Sequence, residues 1–147
     1  YRWSKKLEEF NSSPKISNKV NGSYREDIPR QGSGLKKFDR YLKLQNPNQI
    51  SFLSGEKIDD DNLSRDHVIP WSYLYSDDIW NIVYVTKKEN SSKSNKIPTE
   101  EMIRKLEKRN IELFHIMKKE GIKGSIIKEL EFSIKNNYVE KHWNGCR

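Results

Sequence analysis

Residues 81–86, NIVYVT, set Ile82, Val83, Tyr84 and Val85 in one unbroken run, and this run limits what the chain can fold into. Consecutive β-branched and aromatic residues suit a pleated, buried surface, so this is the clearest strand in the chain. Most other apolar residues recur at helical spacing instead. Leu35, Phe38 and Leu42 share one face of a helix predicted over 35–45, which Asn46-Pro47-Asn48 stops. Trp3, Leu7 and Phe10 predict a helix over 1–10, and Pro14 starts a short second one that ends near Asn21-Gly22. Residues 21–34 read as a loop. The fold class is therefore α+β, mostly helical around a small β element.

Further along, ISFLSGEKI at 50–58 predicts a hairpin-like unit turning at Ser54-Gly55. Residues 66–69 read as extended, running into a turn at Pro70. The stretch 91–96 suits a first helical turn. Pro98-Thr99-Glu100-Glu101 opens a long helix, with Thr99 as N-cap and the two acids at the positive helix end. Ile103, Leu106, Leu113, Phe114 and Met117 keep helical spacing until Gly121 breaks it. A last helix is predicted from Ser125 to about His142, with Ile127, Leu130, Ile134 and Tyr138 inward. Three segments follow: a helical N-terminal flank at 1–49, a core at 50–100 and C-terminal helices at 101–147, together one compact domain of 147 residues.

Only 33% of the residues are hydrophobic, so the core is modest, but four Trp, seven Tyr and five Phe argue against disorder. The single cysteine, Cys146, excludes an internal disulfide framework and a Cys-based zinc site, and fits a reduced, cytoplasmic setting. No apolar run approaches the roughly 20 residues that span a bilayer, and no signal peptide is visible. The chain begins at Tyr1 rather than Met, as a fragment of a longer protein would. The net charge of +7 is uneven: residues 1–50 carry +6, residues 51–98 carry −2 and residues 99–147 carry +3. Basic flanks attract a polyanion such as DNA, and the acidic centre suits a cation.

That centre carries RDHVIPWSYLYSDDIWNIVYVTKKENSSKSNK at 65–96. Asp66 and His67 are adjacent in an extended segment, so their side chains serve opposite faces. Carboxylate, amide and water oxygens suit Mg²⁺, with Mn²⁺ as the alternative, because such an ion takes few protein ligands. If the 81–86 strand pairs back antiparallel, Asn90 returns to Asp66 and completes a carboxylate–amide pair. A neutral His67 imidazole can take a proton from water that then attacks a phosphodiester.

These residues, DHVIPWS followed by Asn81 and then NSSKSNKIP, resemble the signature of the HNH (ββα-metal) endonucleases. Roughly residues 50–100 carry the resemblance, and the spacing also resembles that in RNA-guided CRISPR nucleases and bacterial restriction-type HNH proteins. The resemblance implies a metal-dependent endonuclease that hydrolyses DNA and leaves a 5′-phosphate and a 3′-hydroxyl. It implies His67 as general base, Asp66 and Asn90 as metal ligands, and Asn81 as the residue that orients His67 through its backbone or the intervening loop. Many HNH proteins also bind a structural zinc through two Cys-x-x-Cys pairs. Ser51, Ser54, Thr86 and Glu89 stand at the corresponding positions, so no structural zinc is expected, and packing by Phe52, Leu53, Ile58 and Trp80 takes its place.

Lys93 and Lys96 suit contact with phosphate or the leaving group, and equally a solvated surface. Lys36, Lys37, Arg40 and Lys43 form a candidate DNA-binding cluster on the 35–45 helix, with Arg104, Lys105, Lys108 and Arg109 as the alternative face. Trp71 and Trp80 read as core packing ahead of DNA contact, His115 and His142 as structural or exposed, and Cys146 has no assigned role. Two rival readings are a catalytically silent HNH-fold DNA-binding module and a helical interaction domain with a coincidental motif. Oligomeric state and pathway stay open, the latter among restriction or phage defence, a mobile element and a CRISPR-type effector.

Overall fold

A computed structural model describes residues 32–93 and 96–146. The helices expected within 1–22, and the loop as far as residue 31, lie outside the described residues. A helical turn at Gly32–Leu35 and a 3-10 turn at Lys36–Phe38 lead into α1 (Asp39–Gln45). Leu35, Phe38 and Leu42 are buried on one side of this stretch, as their spacing predicts. The Asn46 side chain then ties itself to both backbone groups of Ile50, at 2.8 and 2.9 Å, which fixes the exit from α1.

The 50–58 unit does turn at Ser54-Gly55. Ile50 and Lys57 form a bridge, and Gly55 takes φ +80, a left-handed conformation that glycine adopts without a Cβ clash. The Phe52 N–H donates to the Tyr84 carbonyl at 2.9 Å, so this unit docks on the central ribbon. That ribbon is an antiparallel pair, β1 (Leu63–His67) and β2 (Ile82–Thr86), in which Asp66 faces Val83 and His67 faces Ile82. β1 starts three residues before the extended segment read from sequence and ends at His67. Between the strands lie a short α2 (Trp71–Leu74) and a 3-10 turn at Ile79–Asn81.

α3 (Lys87–Lys93) begins directly after β2, four residues earlier than expected. The cause is a capping box. The Glu89 N–H donates to Thr86 Oγ1 and the Thr86 N–H donates to Glu89 Oε1, both at 3.0 Å, so two orphan donors at the helix start are satisfied reciprocally. α4 (Glu100–Lys119) follows with Thr99 as its N-cap, its hydroxyl accepting from the Met102 N–H. Ile103, Leu106, Leu113 and Met117 are fully buried along it, while Phe114 is half-buried.

The single C-terminal helix expected over 125–142 is two helices, α5 (Ser125–Lys135) and α6 (Tyr138–Cys146). Asn137 sits between them at φ +53. Asparagine tolerates the left-handed region better than most residues, so the Asn136-Asn137 pair turns the chain although the apolar spacing runs through it. The Trp143 indole N–H donates to the Pro98 carbonyl at 2.8 Å and pins α6 beside the start of α4. Trp80, buried in the 3-10 turn, packs edge-on against Tyr138. The result is an α+β fold: a two-stranded antiparallel ribbon set among helices. Among the described residues no helix is long and apolar enough to cross a membrane.

Candidate active site

The site lies at the His67 end of β1. Strand alternation puts Ser64 and Asp66 on one face of the ribbon, and Arg65 and His67 on the other. α3 covers the first face. Asn90 Nδ2 donates to Ser64 Oγ at 2.7 Å, which brings Asn90 over the strand face that carries Asp66. With the amide nitrogen so engaged, the Asn90 carbonyl oxygen is left as the atom that can meet a ligand.

Asp66 is buried, and its Oδ2 has no hydrogen-bond partner among the described residues. The Lys93 ammonium stands 3.5 Å away, an ion-pair separation rather than a good hydrogen bond. Burial pushes the Asp66 carboxyl above its ordinary value, and the charges of Lys93 and His67 pull it back only in part. A buried carboxylate oxygen without a donor is costly unless something compensates it. Carboxylate and amide oxygens such as those of Asp66 and Asn90 are the hard donors that a small divalent cation prefers. Among the described residues no group of three or more His, Cys, Asp and Glu could hold a metal ion.

His67 is buried and held from three sides. Lys93 Nζ donates to its carbonyl at 2.8 Å. The ring Nε2 lies 2.8 Å from Asp77 Oδ1. The chain just beyond it is clamped by Asn81, which is fully buried: its Nδ2 donates to the Ile69 carbonyl at 2.9 Å, its Oδ1 accepts from the Ile69 N–H at 2.8 Å, and its own carbonyl accepts from the Val68 N–H. Asn81 thus contacts the loop after His67, not the imidazole.

Asn81 is itself fixed from α4. Arg109 donates to the carbonyls of Ile79 and Ile82, and Asn110 donates to that of Trp80. Burial lowers the Arg109 guanidinium to about 9, which leaves it protonated at neutral pH. Arg109 is therefore an internal clamp and no part of an exposed basic face. Lys105 donates to the Phe52 carbonyl, and Arg104 pairs with Glu100, Glu107 and Glu140. Of that alternative DNA face, Lys108 is exposed, with no such tie among the described residues.

The structure thus brings Asp66, His67, Asn81, Asn90 and Lys93 together. Lys93 is buried inside the site rather than solvated. Lys96 is exposed in the segment leading to α4. Lys36, Lys37, Arg40 and Lys43 are exposed along the first helical stretch, on the side away from Leu35, Phe38 and Leu42. Asp77 is the site residue that the sequence reading missed. Its one signal is an acidic pair, Asp77-Asp78, ten residues past His67, which as sequence looks like a solvated turn.

Ser51, Ser54, Thr86 and Glu89 are joined by hydrogen bonds. Ser51 Oγ donates to Glu89 Oε1 at 2.6 Å, the Ser54 N–H donates to Ser51 Oγ, and Glu89 closes the capping box with Thr86. Burial opposes ionisation of Glu89, but bonds from Ser51, Ser54 and Thr86 outweigh it and hold the carboxyl below its ordinary value. Phe52, Ile58 and Trp80 are buried and Leu53 is half-buried, so the expected apolar packing accompanies a polar cross-link.

Residues 52–99 match the model of a family described as HNH endonuclease. The CRISPR-associated endonuclease Cas9 of Streptococcus mutans serotype c is 33% identical over 84 residues, 55% of this chain. The chain spans about 6% of the length of that relative. The matched segment contains β1, β2, α3 and each of the clustered polar residues, so the similarity to the HNH endonucleases falls on the ββα unit that builds the site.

Proposed function

We propose that the chain is a metal-dependent HNH nuclease domain that hydrolyses phosphodiester bonds in DNA. The observation that carries this reading is the buried Oδ2 of Asp66, which receives no hydrogen bond from the described residues, on the strand face that Asn90 covers and one residue from an imidazole. Asp66 and Asn90 would hold a divalent cation, Mg²⁺ or Mn²⁺. When bound, that cation supplies positive charge against the phosphate and the departing oxygen. Residues 50–100 carry the chemistry, and the flanks at 1–49 and 101–147 support it and meet DNA.

His67 acts as general base. A water proton passes to the imidazole, the water oxygen forms a bond to phosphorus, and the phosphorus–O3′ bond breaks. The O3′ leaving group takes up a proton from solvent, so the products are a 5′-phosphate and a 3′-hydroxyl. Asn81 keeps the loop after His67 in place, and Lys93 fixes the His67 carbonyl while offsetting the charge of Asp66. Likeness to a CRISPR-associated endonuclease supports a cytoplasmic role in restriction or phage defence.

The test is cleavage of plasmid and of single-stranded DNA with and without Mg²⁺ or Mn²⁺. Wild-type protein should cut only with metal, and His67→Ala should lose about 10²–10⁴ in rate while still binding DNA. Binding without cleavage by the wild type would point to a silent DNA-binding module instead.

A further inference from the structure

His67 is a base only if the right ring nitrogen is bare. Neutral imidazole carries one hydrogen, on Nδ1 or on Nε2. His67 Nε2 lies 2.8 Å from Asp77 Oδ1. An ionised carboxylate can only accept, so the nitrogen facing it carries the hydrogen. That leaves Nδ1 with the lone pair. We infer that Asp77 is a positioning residue that holds His67 as the Nε2–H tautomer and thereby assigns proton acceptance to Nδ1. The inference deepens the nuclease reading and rests on it for its catalytic meaning.

Three features make this more than a surface ion pair. The His67 side chain is only 7% exposed, so its ring is held within the fold rather than turning freely in solvent. Asp77 is itself set by its surroundings. Tyr75, two residues earlier, turns the chain at φ +56. The next residue, Asp78, accepts from Ser76 Oγ at 2.6 Å, and its carbonyl accepts from the Asn81 N–H at 2.9 Å. The carboxylate therefore hangs from the same turn that carries Asn81. Finally, the His67 backbone is fixed separately, by Lys93 on its carbonyl and by Asn81 on the loop that follows. Asp77 is the group left to set the ring.

The molecule supplies its own reference. His142 Nδ1 lies 2.8 Å from the Tyr138 carbonyl, which accepts only, so His142 takes the opposite Nδ1–H tautomer. The chain has three histidines, so long-range ¹H–¹⁵N spectra of the full, metal-free chain, at a pH where the rings are neutral, resolve each tautomer. His67→Gln assigns the signal. Wild-type protein should show the Nε2–H pattern for His67 and the Nδ1–H pattern for His142. In Asp77→Asn, His67 should become a mixture or invert while His142 stays unchanged. With metal and DNA, the same variant should lose about 10–100-fold in kcat with KM for DNA unchanged, and Asp77→Glu should recover part of it.

An Nδ1–H pattern for His67 in the wild type would overturn the inference. So would an Asp77→Asn protein with unaltered His67 tautomer and kcat, or one with raised kcat, which would make the contact a restraint rather than a support. If wild-type protein shows the Nε2–H tautomer but never cleaves DNA, the nuclease reading fails while the tautomer assignment stands.

Discussion

Lys93 Nζ donates to the His67 carbonyl at 2.8 Å and stands 3.5 Å from Asp66 Oδ2, so one buried ammonium from α3 secures the end of β1 and balances its carboxylate. Both partners of the ion pair are at most 10% exposed. Lys93→Met keeps the stem and removes the charge. It should destabilise the metal-free chain by about 3 kcal/mol, because it strands a buried carboxylate and a buried carbonyl. Millimolar Mg²⁺ or Mn²⁺ should return part of the loss by taking over neutralisation of Asp66. Urea unfolding with and without metal measures both effects. An unchanged midpoint without metal would show that Lys93 carries no structural role.

On the opposite face of the ribbon, Asp39 in α1 receives two bonds from Arg65, at 2.8 and 2.6 Å, and one from the Tyr84 hydroxyl at 2.8 Å. Burial works against ionisation, but these bonds and the Arg65 charge prevail and hold the Asp39 carboxyl below its ordinary value. Its folded pKa is depressed, so its contribution is fully present above the unfolded value of about 3.9 and is lost as pH falls through the folded value. Asp39→Asn should therefore cost about 1–3 kcal/mol at neutral pH and progressively less in acid. Denaturation of wild type and variant across that range checks the sign. A gap that widens on acidification would contradict it.

The Ser51–Glu89 bond, at 2.6 Å, joins the 50–58 turn to the start of α3. Ser51→Ala should cost about 1 kcal/mol, and Glu89→Ala somewhat more, since it also removes the acceptor for the Thr86 N–H. The two losses should be non-additive in a double-mutant cycle, as expected for one shared bond. Strict additivity would mean that the two side chains act independently.

Local signals explain what the sequence could reveal. The NIVYVT strand, the Thr99 cap and the stop at Gly121 depend on nearest neighbours, and each lies where its residues place it. The start of α3 was equally local, since Thr86-Lys87-Lys88-Glu89 is a capping box, but the first helical turn was read only in the Ser/Lys/Asn run behind it. The α5–α6 break was hidden because Ile134 and Tyr138 keep helical spacing across Asn137. Arg109 and Asn110 look like a polar helix face, and only the carbonyls of residues 79–82 give them a reason to be inside. Asp66, His67, Asn81 and Asn90 were singled out through the resemblance of the 65–96 stretch to a known signature, and the ribbon and α3 bring them near one another. Asp77 was not, because its meaning depends on a turn that brings it back to the His67 ring.

The last prediction separates binding from chemistry. Lys36, Lys37, Arg40 and Lys43 are exposed, on the side of the first helical stretch opposite Leu35, Phe38 and Leu42. Lys37 lies 5.2 Å from the Phe38 ring centre and Arg40 the same distance from that of Tyr41, so two of the four cations stand over aromatic faces. The 104–109 face offers less, with Arg109 buried and Arg104 tied to three glutamates. Replacing all four residues of the first cluster by Gln should weaken DNA binding. The slope of log affinity against log salt should flatten by about 0.9 for each phosphate that the variant no longer neutralises on duplex DNA. The rate at saturating DNA should hold, because none of the four belongs to the Asp66–His67–Asn90 cluster. Asp66→Ala should behave in the opposite way, keeping affinity and slope while metal-dependent cleavage disappears. A salt series on both variants decides the matter. An unaltered slope in the four-fold variant would make this helix face merely solvated and shift the footprint toward Lys96 and Lys108, which are exposed beyond α3 and on α4.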